Sequence, residues 1–340
     1  MTGLPVWAGA VVLAAAAAVL LAVGGPFTRL VDRLADRTGI GETLAGIVLV
    51  GAVTSLPGLI TSILGAARGD PAFAMNNALG GIAVQTVFIA LADLFYRRAN
   101  LEHAAASLPN LLAPVGLSIM LGVVLVAGTG PQFGVLGVHP ASALLVFLYL
   151  YWLAMSRKVG SRPMWRVTPT RSTRHDEPEP DSERPGESLA AMWLKFGALA
   201  AAVSATGYAV GETGLALIEQ TGMSGGVIGA VVTGVITSLP ELVTVLYAVR
   251  IRALHLALGD IIGGNGFDVL FLAASDVAYR GGPIYGAMTP QVVLLIGLGV
   301  VLNLLVAAGL IRRQEHGIGF EGFAMFAAYI VGMVFLVAID

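Results

Sequence analysis

The segment GAVTSLPG at residues 51–58 returns as GVITSLPE at residues 234–241, and only the second copy ends in an acid. The similarity extends over residues 39–96 and 222–279, which align without a gap at a constant offset of 183 residues. Many of the identical positions are Gly, Pro, Ser or Thr, the residue types that an apolar helix needs least. Chance does not supply such a match, so the chain contains two homologous halves.

The composition predicts a membrane protein. Hydrophobic residues make up 56% of the chain and charged residues 12%, with a mean hydropathy of +0.84. Several apolar runs approach the roughly 20 residues that a helix needs to cross a bilayer. The chain has no cysteine, which excludes disulfides and thiol chemistry. We expect ten spans, at about 5–24, 39–67, 71–95, 108–128, 138–156, 190–218, 223–249, 254–279, 288–311 and 318–339.

The basic residues are distributed unequally between the two sides of these spans. Loops that join an odd span to the following even span hold sixteen of the nineteen Lys and Arg residues, and the opposite loops hold only Arg68 and Arg280. Lys195 lies near the start of span six. By the positive-inside rule, the basic loops are cytoplasmic and both termini are outside.

Residues 157–188 interrupt the apolar pattern between the two halves. This stretch is polar and rich in Pro and charge, which predicts a flexible cytoplasmic linker. Residues 1–156 and 189–340 then hold five spans each. An odd number of spans turns the second half upside down relative to the first. The sequence therefore predicts an all-α polytopic membrane protein whose ten transmembrane helices form two inverted five-helix repeats.

The repeated motif places polar groups and proline near the middle of spans two and seven. Pro57 and Pro240 cannot donate an N–H, so they free the carbonyls of Val53 and Ile236. Such groups are tolerated at membrane depth only inside protein or facing a wet cavity. Carbonyls, Thr and Ser hydroxyls and a carboxylate together form an oxygen shell, which suits Ca²⁺ or Na⁺ better than Zn²⁺. The five histidines fall in loops or at span ends and are interpreted as interfacial residues.

Carboxyl groups are concentrated in the second half. A charged side chain near the bilayer centre costs a few kcal/mol and marks a functional site by default. Glu241 of span seven and Asp268 of span eight are the deepest acids, so we assign them as cation ligands. Asp260 and the repeat-related pair Asp93 and Asp276 lie nearer span ends, where interfacial or capping roles are expected. The glycine pairs at 80–81 and 263–264 allow another backbone to come close.

TSLPEL at 237–242 and GDIIGGNGFD at 259–268 resemble the repeat signature of the cation/Ca²⁺ antiporter superfamily, the sodium/calcium exchanger family. The resemblance covers both repeats and the ten-span layout. It implies that spans two, three, seven and eight build a central cation site. It also implies that spans one and six slide across this site as a gating bundle.

The resemblance implies a ligand set in both halves, consisting of Thr237, Ser238, Glu241 and Asp268 in the second half and Thr54, Ser55, Asn77 and Gln85 in the first. The first half departs further from the family pattern. Gly58 replaces the expected glutamate and Gln85 the closing Asn, while Gly81 and Gly264 stand where serines are usual. Glu241 and Asp268 are thus the only acids of the expected site.

We therefore expect a secondary active cation antiporter that exchanges Ca²⁺ for H⁺ or Na⁺ by alternating access. Its partners are inorganic cations and the lipid bilayer; neither enzyme activity, a cofactor nor nucleic-acid binding is expected, and the oligomeric state is left open. A monovalent cation/proton antiporter and a non-transporting paralogue are the alternatives. An intramembrane aspartyl protease is disfavoured, because only Gly259-Asp260 approaches its motif and the repeat would be unexplained.

Overall fold

The computed structural model describes residues 5–38, 49, 51–96, 99–165, 187–251, 253–312 and 317–340. These residues form helices and connecting turns, and the part of the chain described contains no β-strand. Spans one to five comprise Val6–Thr38, Gly51–Thr54 with Leu56–Ala67, Pro71–Phe95, Leu108–Thr129 and Pro140–Ser161. Spans six, eight, nine and ten are Leu189–Thr221, Leu254–Ala278, Pro290–Ile311 and Phe320–Ala338. Span seven runs through Gly225–Val227, the π-helical Ile228–Thr233, Gly234–Thr237 and Leu239–Ile251.

This architecture confirms the predicted all-α membrane fold. Among the described residues, nine helices are long and apolar enough to cross a bilayer. Span two contributes the shorter apolar helix Leu56–Ala67. Its predicted beginning, with the repeat glycines Gly39 and Gly46, lies outside the described residues. The remaining span limits agree with the sequence prediction to within a few residues, except at the end of spans one and five.

Span one continues well past its predicted end near residue 24. Phe27, Leu30, Val31 and Leu34 are buried at helical spacing, so an amphipathic segment extends the helix to Thr38 beyond the apolar run. The nearby arginines of the basic side therefore lie on a helix and not in a loop. In the same way, the helix of span five includes residues 157–161 of the predicted linker, and residues 166–186 lie outside the described part.

Most helix starts follow ordinary capping chemistry. Spans three, five and nine begin with Pro at a position where the missing N–H costs no intrahelical bond. Asp70 caps span three by accepting a bond from Phe73 N, and Thr289 caps span nine in the same way at Val292 N. These local signals explain why the predicted starts were accurate.

Spans three and eight form the centre of the molecule. In each of these two helices, 83% of the residues in the most apolar 18-residue stretch are buried. The same fraction is 11% in span six and 22% in span one. Span three packs on span eight, span six on span two, and span one on spans six and seven. The exposed apolar faces of the outer helices suit a lipid environment. The four spans that carry the repeated motifs therefore meet in the middle of the bundle.

Spans one and six cross the repeated motifs at equivalent glycines. A Cβ on Gly207 of span six would lie 2.4 Å from the Cα of Pro57, and one on Gly24 of span one would lie 3.3 Å from the carbonyl oxygen of Pro240. Gly24 and Gly207 are themselves separated by the repeat offset, as are the two prolines. The first helix of each half thus crosses the second helix of the other half at its proline.

Candidate cation site

Both site helices break at the motif serine. Span two stops at Thr54 and resumes at Leu56, and span seven stops at Thr237 and resumes at Leu239. The prolines therefore occupy the first turn of a new helix, where an N–H would have no intrahelical partner. That Pro57 and Pro240 free the carbonyls of Val53 and Ile236 for a cation stays a prediction. The breaks at Ser55 and Ser238 turn hydroxyl and backbone groups toward the interior of the bundle.

Ser55 joins the two predicted acid ligands. Glu241 and Asp268 are 0% and 1% exposed, so neither carboxyl reaches solvent. Ser55 Oγ donates a hydrogen bond to Glu241 Oε1 at 3.3 Å and also interacts with Asp268. A hydroxyl of the first half therefore lies between two carboxyls of the second half.

Gln85 forms the other link between the halves. Its Nε2 donates to Asp268 Oδ2 at 2.8 Å and to Ser238 Oγ at 3.1 Å. Ser238 Oγ in turn donates to the carbonyl of Gly234 at 2.8 Å. Gln85 and Asp268 are repeat-related positions, so the two halves meet through equivalent residues of spans three and eight.

A narrow polar space lies at this meeting point. Its walls are formed by Ser55, Gly58, Asn77, Gly81, Gln85, Thr237, Ser238, Asp268 and Phe271. Two residues of these walls and the neighbouring Glu241 each have a buried oxygen without a hydrogen-bond partner in the described part of the chain: Gln85 Oε1, Asp268 Oδ1 and Glu241 Oε2. A buried acceptor without a donor is costly, so these oxygens are available to a cation or a proton.

The remaining predicted ligands make bonds within the protein. Asn77 Nδ2 donates to Gly58 O at 3.1 Å and to Ser62 Oγ at 2.9 Å, while its Oδ1 accepts from Thr233 Oγ1 at 2.7 Å. Asn77 therefore braces spans two, three and seven around the space.

The two threonines of the motif turn their hydroxyl protons toward their own helices. Thr237 Oγ1 donates to Thr233 O at 2.9 Å, and Thr54 Oγ1 donates to Gly51 O at 3.3 Å. Thr54 also interacts with the carboxyl of Glu241.

Phe271 occupies the place next to Gly58. A Cβ on Gly58 would lie 2.9 Å from Phe271 Cε2 and 3.5 Å from Thr237 Oγ1. The ring is buried, so it cannot easily move aside. The position where the family resemblance implies a second glutamate is thus closed by an aromatic side chain of span eight.

The other site glycines differ in how closely they are packed. A Cβ on Gly81 would lie 3.3 Å from Ser238 Oγ, while one on Gly264 would have its nearest neighbours at 3.7 Å. At Gly80, a Cβ would lie 2.5 Å from Ala230 Cα. The predicted close backbone approach therefore occurs at Gly80.

Asp260 lies close to Glu241 and Asp268. This differs from the interfacial or capping role expected from its sequence position. It is 1% exposed, and its Oδ2 accepts a hydrogen bond from Thr244 Oγ1. Thr244 Oγ1 also lies 3.0 Å from the carbonyl oxygen of Glu241. Asp260 Oδ1 has no partner among the described residues. The sequence signal that could have identified it is the repeat, which pairs Asp260 with the predicted ligand Asn77.

Asp93 and Asp276 have the capping role that the sequence predicted. Asp93 Oδ1 accepts from Leu101 N at 2.6 Å, and Asp276 Oδ1 accepts from Ile284 N at 2.8 Å. Leu101 and Ile284 are repeat-related and begin the short helices Leu101–Ala104 and Ile284–Ala287. These acids therefore stabilise the loops after spans three and eight.

Comparison with known families identifies the chain. The family model described as sodium/calcium exchanger protein matches residues 8–157 and 191–338, which is most of the sequence. The chain belongs to the sodium/calcium exchanger family. This is a family of membrane transporters and not an enzyme class, which removes the protease alternative.

Similar proteins agree with this assignment. The inner membrane protein YrbG of Escherichia coli is 27% identical over 69% of this chain and 68% of its own length. The uncharacterized membrane protein MJ0091 of Methanocaldococcus jannaschii is 23% identical over 90% of both chains. Structures of the sodium-calcium exchanger NCX_Mj match 97% of this chain at 18% identity, with TM-scores of 0.66 in 10 mM Na⁺ without Ca²⁺ and 0.64 in 100 mM Na⁺ with 10 mM Sr²⁺. The shared fold therefore includes the inverted repeats.

The acids of this exchanger-family site all come from one half. Three repeat-related pairs are neutral in the first half and acidic in the second, namely Gly58/Glu241, Asn77/Asp260 and Gln85/Asp268. No group of three or more acids or histidines within the described ranges is arranged to hold a metal ion. The candidate site is a mixture of carboxylate, amide and hydroxyl oxygens.

Proposed function

We propose that this exchanger-family protein is a secondary active cation antiporter that exchanges Ca²⁺ for H⁺ or Na⁺ by alternating access. One observation carries the proposal. Buried oxygens of Asp268 and Gln85 lie unpartnered at a space between the motif-bearing spans, and Glu241, which shares the Ser55 hydroxyl with Asp268, has a further unpartnered oxygen. In a membrane such groups are retained for function, and facing acids are a standard way to attract a cation.

Calcium is the first choice for the transported ion because of the charge and chemistry of these ligands. Two carboxylates balance one divalent cation, and hard oxygen ligands suit Ca²⁺. Ser55 and Ser238 already contact the two acids or their amide partner, so they are placed to complete an oxygen shell.

The proton is the favoured counter-ion. Phe271 closes the place next to Gly58, where a further acid would help to hold several Na⁺ ions. Protons neutralise Glu241 and Asp268 without needing a coordination shell, and two buried carboxylates cannot both remain ionised without partners. Exchange of one Ca²⁺ against protons at the same acids therefore fits this site better than multiple Na⁺ binding.

A monovalent cation/proton antiporter is the second candidate. The neutral Asn77 and Gln85 favour it, because they reduce the negative charge that a divalent ion needs. In that case Glu241 and Asp268 would hold one monovalent cation and one proton in alternation.

Flux into proteoliposomes tests both candidates. Uptake of Ca²⁺, Na⁺, K⁺ and Mn²⁺ is measured under imposed pH and Na⁺ gradients for the natural protein, Glu241→Gln and Glu219→Gln. Glu219 is an exposed acid of span six and serves as the matched control. We expect Ca²⁺ uptake driven by a pH gradient, reduced to the liposome background in Glu241→Gln and unchanged in Glu219→Gln. Uptake of monovalent cations alone would select the second candidate, and full activity of Glu241→Gln would reject the assigned site.

A further inference from the structure

A second group of buried acids lies away from the cation site, where spans three and ten meet the loop after span three. Asp93, Glu102 and Glu321 are 5%, 1% and 1% exposed. Asn100 Nδ2 donates to Glu321 Oε1 at 3.1 Å and lies 3.4 Å from Asp93 Oδ2. Asn100 therefore connects an acid of the first half to an acid of the second.

Glu102 and Glu321 converge on one glycine of span nine. A Cβ on Gly309 would lie 2.8 Å from Glu321 Cγ and 3.4 Å from Glu102 Cγ. The absence of a side chain at Gly309 thus allows both acid stems to pack on the same short stretch of helix. The two carboxyl groups are consequently held near each other and near Asp93.

Among the described residues, this group of acids has fewer hydrogen-bond donors than acceptor oxygens. Glu102 Oε2 and Glu321 Oε2 have no hydrogen-bond partner in the described portion of the chain. The backbone N of His103 donates to Asn100 Oδ1. Arg312, at the end of span nine, lies over the ring of Phe320 at 5.0 Å. Three buried carboxylates in this setting cannot all be ionised without a bound ligand.

The equivalent loop of the second half, after span eight, has no counterpart of Glu102 or Glu321 among its described contacts with Asp276. Asp276, the repeat partner of Asp93, accepts hydrogen bonds from His139 N and Ser142 Oγ, both at 2.7 Å, in addition to Ile284 N. Tyr285 occupies the position equivalent to Glu102, and its hydroxyl lies 2.9 Å from Ser142 Oγ. The cap therefore forms with neutral donors alone. Glu102 and Glu321 are not needed to build it.

We propose that Asp93, Glu102 and Glu321 form a proton-binding site that senses pH at the membrane face bearing loops 3-4 and 9-10, the face predicted to be cytoplasmic. A proton fits this group better than a metal ion does, because a proton binds a single carboxyl and needs neither a cavity nor a coordination shell. The bound proton keeps the segment Asn100–Ala104 docked on spans nine and ten. Its loss leaves mutually repelling charges that loosen this contact.

Burial, with smaller contributions from the neighbouring charges of Asp93 and Glu321, raises the pKa of Glu102 from its ordinary 4.5 to about 8. Below pH 4.5 the carboxyl is protonated in both the folded and the unfolded chain. Between pH 4.5 and about 8 the unfolded chain ionises while the folded chain keeps its proton, so folding stability falls as pH rises. Above about pH 8 this contribution stays constant.

The test compares thermal unfolding of the full chain in detergent between pH 5 and 9 for the natural protein, Glu102→Gln and the control Glu219→Gln. The acids of the cation site titrate in all three proteins, so the difference between curves isolates Glu102. We expect the Tm of the natural protein to fall relative to that of Glu102→Gln up to about pH 8 and then to run parallel to it. The Glu219→Gln curve should follow that of the natural protein.

Parallel Tm curves for the natural protein and Glu102→Gln over the whole range would overturn the proposal. If Glu102→Gln does not fold, Glu102→Met provides the same comparison, because methionine is of similar size and has no ionisable group. Mg²⁺ added at pH 9 tests the remaining alternative. A rise in Tm of the natural protein that is absent from both variants would show a metal site and reject the proton. Because unfolding is measured, failure here is independent of failure of the proposed transport.

Discussion

At the residue scale, the two halves of the site have complementary roles. The first half supplies donors, since Ser55 donates to Glu241 and Gln85 donates to Asp268. The second half supplies the carboxylate acceptors. An acid at position 85 could donate to Asp268 only when protonated, whereas the amide of Gln85 donates at any pH. The loss of repeat-related acids is therefore compatible with an organised site.

Gly58 is best explained as a packing position. We expect Gly58→Ala to destabilise the protein by about 1–3 kcal/mol, because its Cβ would overlap the buried ring of Phe271. Gly122→Ala in span four is the matched control, since a Cβ there would have nothing within 4 Å. Thermal unfolding in detergent measures both. Equal stability of the two variants would show that the ring yields, and Gly58→Glu would then be expected to add a third carboxylate and strengthen Ca²⁺ binding.

At the element scale, the broken helices are covered by spans one and six. Span six contacts span two where Thr61 Oγ1 donates to the carbonyl of Gly207 at 2.8 Å. Close to the membrane surfaces, Arg68 of span two pairs with Glu212 of span six, and Arg33 of span one pairs with Glu187. The small residues at the crossing points allow these helices to approach the proline turns closely. That contact is what a sliding gate would have to change.

Gly207 tests the importance of this crossing. A Cβ at Gly207 meets the backbone of Pro57, which cannot rotate away as a side chain could. We expect Gly207→Ala to reduce transport at least tenfold and to lower the Tm. Gly197→Ala, on the same helix but with nothing within 4 Å, should leave both unchanged. Flux in proteoliposomes and thermal unfolding provide the readouts, and normal flux in Gly207→Ala would contradict a tight crossing.

At the scale of the whole molecule, ten spans in two inverted halves place equivalent loops on opposite membrane faces. The short helices Leu101–Ala104 and Ile284–Ala287 are one such pair. The basic residues are concentrated on the face with loops 1-2, 3-4, 5-6, 7-8 and 9-10. The face with the positively charged loops, which set the orientation in the membrane, is therefore also the face with the buried acids Asp93, Glu102 and Glu321.

Reporter fusions determine the orientation. A reporter attached after Asp340 should be outside, and one inserted near Pro178, in the predicted linker, should be cytoplasmic, because positively charged loops remain on the cytoplasmic side. Alkaline phosphatase activity marks outside positions, and green fluorescent protein fluorescence marks cytoplasmic ones. The opposite pattern at both positions would invert the topology and place the proposed pH-sensing group outside.

The sequence by itself determined the fold class, the repeat and most span limits, although not the ends of spans one and five, and it predicted Glu241 and Asp268 as the cation ligands. Hydropathy and capping residues act locally along the chain, and the repeat is visible at a fixed offset, so these features need no tertiary information. Only the tertiary structure showed Phe271 next to Gly58, Gln85 donating to Asp268, and Asp260 buried beside Glu241. Each of these contacts depends on how separate helices cross. The crossing depends on packing between side chains distant in sequence, which no local pattern encodes.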